Sequence, residues 1–146
     1  MAGRQLPGTT LFVRRGRRRD LAQLHALLAL PAEARLERFL RRMLADLGMD
    51  IYVAEDGERR IVGVISVAYR RSLMRGGLSA ILDGVRTRSA PDVLEALVAF
   101  AEQRARRRGC RRMTACVDAD AELRAVLTAR GYRAEALFVT DLAGAA

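Results

Sequence analysis

The residues with most chemical potential lie between Leu78 and Val117. This stretch reads as a strand, LSAILDGVRT, a polar loop, RSAPDV, a long helix, LEALVAFAEQRARRRG, and a further strand, CRRMTACVD. A strand feeding the N-terminus of a helix makes an anion site, because the first helical N–H groups lack partners and the helix dipole favours negative charge there. The loop RSAPDV at that helix start is where a phosphorylated cofactor would sit. Two of the acidic residues keep two readings each. Asp83 either flanks a turn or pairs with an arginine, and Asp92 is either a helix N-cap or a residue of the site.

Other chemistries are excluded or left without support. All 26 basic residues are Arg, so neither a lysine Schiff base nor a lysine general base is available. One His and two Cys give no metal-ligand spacing. Cys110 and Cys116, if both on one strand, lie beyond disulfide reach and read as two buried free thiols. The formal net charge of +9 points to an anionic partner, but a chain with no Lys and no Asn also carries the mark of a GC-rich genome. The run Arg104, Arg106, Arg107, Arg108, Arg111 and Arg112 reads as an exposed helix end favoured by the dipole. It lacks the interleaved aromatics of a nucleic-acid surface.

Positioning these residues takes one domain over 1–146, with residues 1–10 as a flexible lead-in. With 51% hydrophobic residues the chain can bury a core, and no apolar run reaches the ~18 residues of a membrane span. The start lacks an apolar signal core, so a cytoplasmic location is expected. Leu11–Val13 is a short strand, and Asp20 caps a helix with Leu21, Leu24, Leu27 and Leu28 on one side. His25 lies beside that stripe and reads as a boundary histidine. Pro31 breaks this helix, and a second amphipathic one runs from Ala32 to Leu47, ended by Gly48. The period then falls to about two. Asp50–Glu55 and Arg60–Tyr69 are strands joined by an Asp56-Gly57 hairpin turn, and Gly63 marks a bulge or close packing. Leu78–Thr87 completes a meander. The long helix spans Asp92–Arg108 and ends at Gly109. Met113–Val117 is a strand, AELRAVLTAR a helix capped by Asp118 or Asp120, and Arg133–Leu142 a final strand. The order predicts an α/β (α+β) fold, with a mixed, mostly antiparallel central sheet and helices on both faces.

This order resembles the GNAT superfamily of acyl-CoA-dependent N-acyltransferases from Leu11 to Leu142. Three segments carry the resemblance: IYVAEDGERRIVGVISVAY, LDGVRT with the Ala-rich helix ending ARRRGC, and DADAELRAVLTARGYRAEALFVTDL. The resemblance implies that acetyl-CoA, or another acyl-CoA, lies between the fourth and fifth strands of the family; the lack of metal-ligand spacing adds the expectation of no metal. It implies that Val85, Arg86 and Thr87 line the pantetheine. Arg88, Ser89, Ala90, Asp92 and Val93 hold the pyrophosphate, Asp118 lies near the cofactor's far end, and Asp83 matches the position that often acts as general base. The chain departs from the family at two places. The pyrophosphate loop is degenerate: it has no glycine, Pro91 lacks an N–H, and Asp92 places a charge costing roughly 1 kcal/mol near phosphate. Leu127 stands where the family usually has a proton-donating Tyr, and Tyr132 of the Gly-aromatic pair reads as core.

The leading expectation is an N-acetyltransferase acting on an amine of a small molecule or peptide. An inactive binding domain of the same fold is the alternative, and a basic RNA-associated domain the third. An edge strand such as ALFVTDL offers a pairing surface for a homodimer, the sequence leaves the oligomeric state open, and neither nucleic acid nor membrane is expected as partner.

Overall fold

The computed structural model describes residues 3–88, 91–117 and 120–142. Among them the strands are β1 (Arg4–Gln5), β2 (Phe12–Arg15), β3 (Met49–Glu55), β4 (Ile61–Arg71), β5 (Leu78–Thr87) and β6 (Arg112–Ala115). The helices are α1 (Leu21–Leu27), α2 (Ala34–Ala45), α3 (Pro91–Arg107) and α4 (Ala121–Ala129). The strands form one sheet in chain order. All neighbours are antiparallel except β5 and β6, which are parallel. A parallel pair needs a long crossover, and α3 supplies it.

Helices cover both faces of the sheet, as the residue alternation of β4 requires. Ile65 and Val67 join the core of α3 and α4 (Leu94, Leu97, Val98, Leu123, Leu127), whereas Val64 joins that of α1 and α2 (Leu24, Leu27, Leu40). Gly63 is the point of closest approach. A Cβ there would stand 3.1 Å from Leu97 Cδ1 and 3.6 Å from the Arg86 carbonyl oxygen. It also adjoins the register shift between β3 and β4 at Ala54/Glu55, so both the bulge and the close packing are present.

Arginines pair with each of the buried acids. Asp50 is 0% exposed and accepts from Tyr69 Oη at 2.7 Å, Arg15 at 3.1 Å and Arg108 at 3.4 Å. The Arg108 guanidinium also lies 4.2 Å from the centre of the Tyr69 ring. Burial, with Asp50 as acceptor, holds the proton on Tyr69 well above the usual phenol range. Arg104 lies over the Tyr52 ring at 5.6 Å. The basic end of α3 is therefore partly committed to the core rather than wholly solvated. On the β2 side, Arg14 makes two 2.8 Å bonds to buried Asp20 and one of 2.7 Å to Glu55. On the other side, Arg130 after α4 holds Glu102 of α3 at 3.0 and 2.6 Å.

Several expectations need correction. Residues 1–10 are not a frayed lead-in where described: β1 pairs with β2, and Leu6 is fully buried. The β3–β4 connection is wider than a two-residue Asp-Gly turn. Asp56 Oδ1 accepts from the N–H groups of Glu58 and Arg60, and Arg59 takes the positive φ. Neither cysteine is on β6; Cys110 is half-buried and Cys116 exposed. Arg133–Leu142 is not a strand among the described residues. Its Leu137, Phe138, Val139 and Leu142 point to solvent, Phe138 being 98% exposed. β-propensity reports how a side chain fits a pleat, but a strand forms only where a neighbouring strand satisfies its N–H and C=O groups.

Candidate active site

β5 and β6 run together only from Ser79↔Arg112 to Leu82↔Ala115, closed by a 3.3 Å bond from Cys116 N–H to the Leu82 carbonyl. Beyond Leu82 the β5–β6 register ends among the described residues, while β5 continues along β4 to Thr87. The result is a gap whose apex is Leu82 and whose mouth is the start of α3. No register partner on β4 falls to Asp83: Ser66 pairs with Gly84 and Val67 with Leu82. Asp83 is thus the extra residue of a β-bulge, a device that re-aims a side chain. Its carboxylate is exposed, with Oδ2 3.5 Å from Ser66 Oγ.

The strand edge beyond Asp83 can be read from one bond. Arg88 N–H donates to the Val62 carbonyl at 2.8 Å, in the same register as Gly63↔Thr87 and Val64↔Arg86. Antiparallel bonding alternates, so Gly84 and Arg86 direct their backbone groups to β4, while Val85 and Thr87 turn theirs toward the gap. The Arg86 side chain lies on the face of Val64, exposed, and Val85 packs on the α3 face.

At the mouth, α3 begins with Pro91 and carries Asp92 in its first turn. Asp92 therefore follows the first helical residue rather than capping the helix. Pro91 offers no N–H, which leaves the Asp92 and Val93 amides as the first donors of the helix. Val93's side chain is buried in the core, which fixes its amide at the helix end. The expected site residues Ser89, Ala90 and Asp118 lie outside the described residues. The gap thus brings Asp83, Val85 and Thr87 along one strand edge, with Arg86 and Arg88 beside them and Asp92 and Val93 at the helix start.

Other candidates fall to structural roles. Leu127 is buried in the core. The Tyr132 hydroxyl is buried beside Glu102, and burial with that carboxylate raises its proton affinity far above neutrality. His25 Nε2 lies 3.0 Å from the Pro31 carbonyl, closing the turn after α1. Among the described residues no group of three or more His, Cys, Asp or Glu side chains could hold a metal, and no helix is long and apolar enough to cross a membrane.

Sequence reasoning missed Ser66, Cys116 at the apex, and the bulge. The signal for the bulge was there. In LSAILDGVRT the apolar positions pass into consecutive Asp83 and Gly84, which breaks the alternation of a regular strand.

No protein-family model matches the chain, and no curated protein sequence matches it. Solved structures do. A transcriptional regulator from Bacillus halodurans C-125 is similar at 25% identity with a TM-score of 0.74, over 90% of this chain and 98% of that one. A ribosomal-protein-alanine N-acetyltransferase from Brucella melitensis biovar Abortus 2308 matches at 15% identity and TM-score 0.75, over 90% and 99%. An aminoglycoside antibiotic 6'-N-acetyltransferase from Acinetobacter baumannii matches at 16% and 0.72, over 92% and 99%. The fold is that of the GNAT acetyltransferases.

Proposed function

We propose that the chain transfers an acyl group, acetyl in the first instance, from acyl-CoA to an amine. The observation that carries this reading is the gap between β5 and β6, with bulged Asp83 near its apex and the start of α3 at its mouth. A pantetheine arm would lie along the Val85 edge, as an added strand does. The pyrophosphate would meet the Asp92 and Val93 amides and the Arg88 side chain.

In the reaction Asp83 takes a proton from the acceptor ammonium. The freed amine nitrogen attacks the thioester carbonyl, the C–N bond forms, the C–S bond breaks, and the second amine proton leaves with solvent. The CoA sulfur departs as thiolate and takes its proton from water, since Leu127 and Tyr132 supply none. A positioned carboxylate base is worth about 10²–10⁴-fold.

Pro91 and Asp92 favour a second reading: a domain of this fold that no longer binds CoA. Titration calorimetry with acetyl-CoA separates the two. Binding in the micromolar range, weakened more by Arg88→Ala than by Arg107→Ala, supports acyl transfer; no heat at millimolar ligand supports the second reading. Asp83→Asn is expected to bind acetyl-CoA normally and lose about 10²-fold or more in kcat. The expected macromolecular partner is a second copy of the chain, drawn by the apolar tail Leu137–Leu142. Light scattering would report a dimer that Phe138→Glu returns to monomer.

A further inference from the structure

The sheet face that carries Asp83 is covered only in part. Leu24, Leu27 and Leu40 of α1 and α2 close over Ile51, Val53, Ile61 and Val64. Past Val64 the same face holds Ser66, Ala68 and Ile81, all half-buried, and Gly84, where an added Cβ would meet nothing within 4 Å. Its charged groups are Asp83, then Arg86, two residues beyond Gly84, Arg70 opposite Ser79, and, across Ser79 on β6, Arg112, which is paired with Glu135. Asp83, Arg86 and Arg70 are exposed, and among the described residues these three make no ion pair, whereas Arg112 is committed to Glu135. The buried acids Asp20, Asp50 and Glu102, by contrast, each hold an arginine. One carboxylate between two uncommitted guanidinium groups suits an amine that carries anions of its own. It opposes a polycation, whose further ammonium groups would meet Arg86 and Arg70.

Resting on the acyl-transfer reading, we propose that the acceptor is a peptide α-amine followed at its second or third residue by acidic side chains: the ammonium binds at Asp83 and a carboxylate at Arg86. Three strand residues span about 10 Å, and two to three residues of an extended acceptor span a similar length. An exposed charge pair shifts binding by roughly two- to fivefold. The attraction of an acidic peptide together with the repulsion of a basic one gives a KM ratio on the order of tenfold.

The test uses the full chain, acetyl-CoA, and the peptides AEEAA, AAAAA and ARRAA, with spermidine as the polycation. CoA release gives KM and kcat for each acceptor, and calorimetry gives acetyl-CoA binding separately. The expected result is a KM for AEEAA about tenfold below that for ARRAA, with the order reversed in Arg86→Glu, retained in Arg86→Lys, and weakened in Arg70→Glu. Preference for ARRAA or spermidine overturns the inference. So does no turnover of any peptide by a chain that binds acetyl-CoA, or an Arg86→Glu effect confined to the KM of acetyl-CoA. Those results leave acyl transfer standing. Absence of acetyl-CoA binding overturns both.

Discussion

Replacing Asp92 with Asn is expected to improve CoA binding while weakening the fold. Asp92 is exposed in the first turn of α3, where the amides that would receive the pyrophosphate begin. An anion held at a helix start lies on the order of 6 Å from a first-turn carboxylate. In a solvent-like dielectric of about 80, each phosphate charge is opposed there by about 0.7 kcal/mol. Two phosphate charges give about 1.4 kcal/mol, or tenfold in Kd. The same carboxylate stabilises α3 through the helix dipole by about 0.3–1 kcal/mol, so Asn should lower Tm by roughly 1–3 °C. Calorimetry at 20 mM salt is the assay, with pantetheine as the ligand that lacks pyrophosphate. Kd for CoA should fall about tenfold, Kd for pantetheine should not move, and the gain should vanish at 1 M salt, where the Debye length is about 3 Å. An unchanged CoA affinity at low salt, or an equal gain for pantetheine, would refute a pyrophosphate site at this turn.

Further outcomes follow from the packing. Gly63→Ala should cost about 1–2 kcal/mol and about 3–6 °C in Tm, because its Cβ would press on Leu97 Cδ1 at 3.1 Å in a closed core; thermal melts read this directly. Arg130→Met should cost about 2–3 kcal/mol in a urea titration, since Glu102, 8% exposed, loses its 3.0 and 2.6 Å bonds and keeps Arg106 at 3.9 Å. Burial opposes ionisation of Asp20 and Glu102, but the guanidinium groups of Arg14 and Arg130 outweigh it and hold both carboxyls below their usual range. Their contribution is complete above the unfolded values, about 4, and is lost as pH falls through the lower folded values. Tm should therefore stay level from pH 7 to about 5 and drop below about 4, with a shallower acid limb in Arg14→Met.

How much of this was legible in the sequence depended on the range of the interaction. The apolar run from Ile61 to Ala68 and the 3.6-residue stripe from Val93 to Ala105 declare β4 and α3, because each element's own side chains carry the pattern. Of the two caps the sequence offers for α4, Asp118 and Asp120, it is Asp120 whose Oδ1 accepts from Leu123 N–H, at 3.0 Å. The Asp50 centre was invisible, since its arginines lie 35 and 58 residues away and nothing local marks them as partners. The tail was misread for the complementary reason: ALFVTDL has the side chains of a strand but no described strand beside it.

The bulge at Asp83 ties the two halves of the proposed site together. In an unbroken strand, residue 83 would share the alternation of Ile81 and Val85 and send its backbone toward one neighbour and its side chain to one face. With the extra residue, β5 keeps its bonds to β4 through Gly84 and Arg86 and still presents the Val85 edge to the gap. Asp83 meanwhile lies beside Ser66 on the face left open by α1 and α2. One edge can then receive a linear thioester while the adjoining face receives an amine, and the carboxylate stands where the two meet. Inserting or deleting one residue at this point would move the Val85 edge and the Asp83 face together. Substituting Arg86 should change the face alone, because its backbone is already committed to Val64.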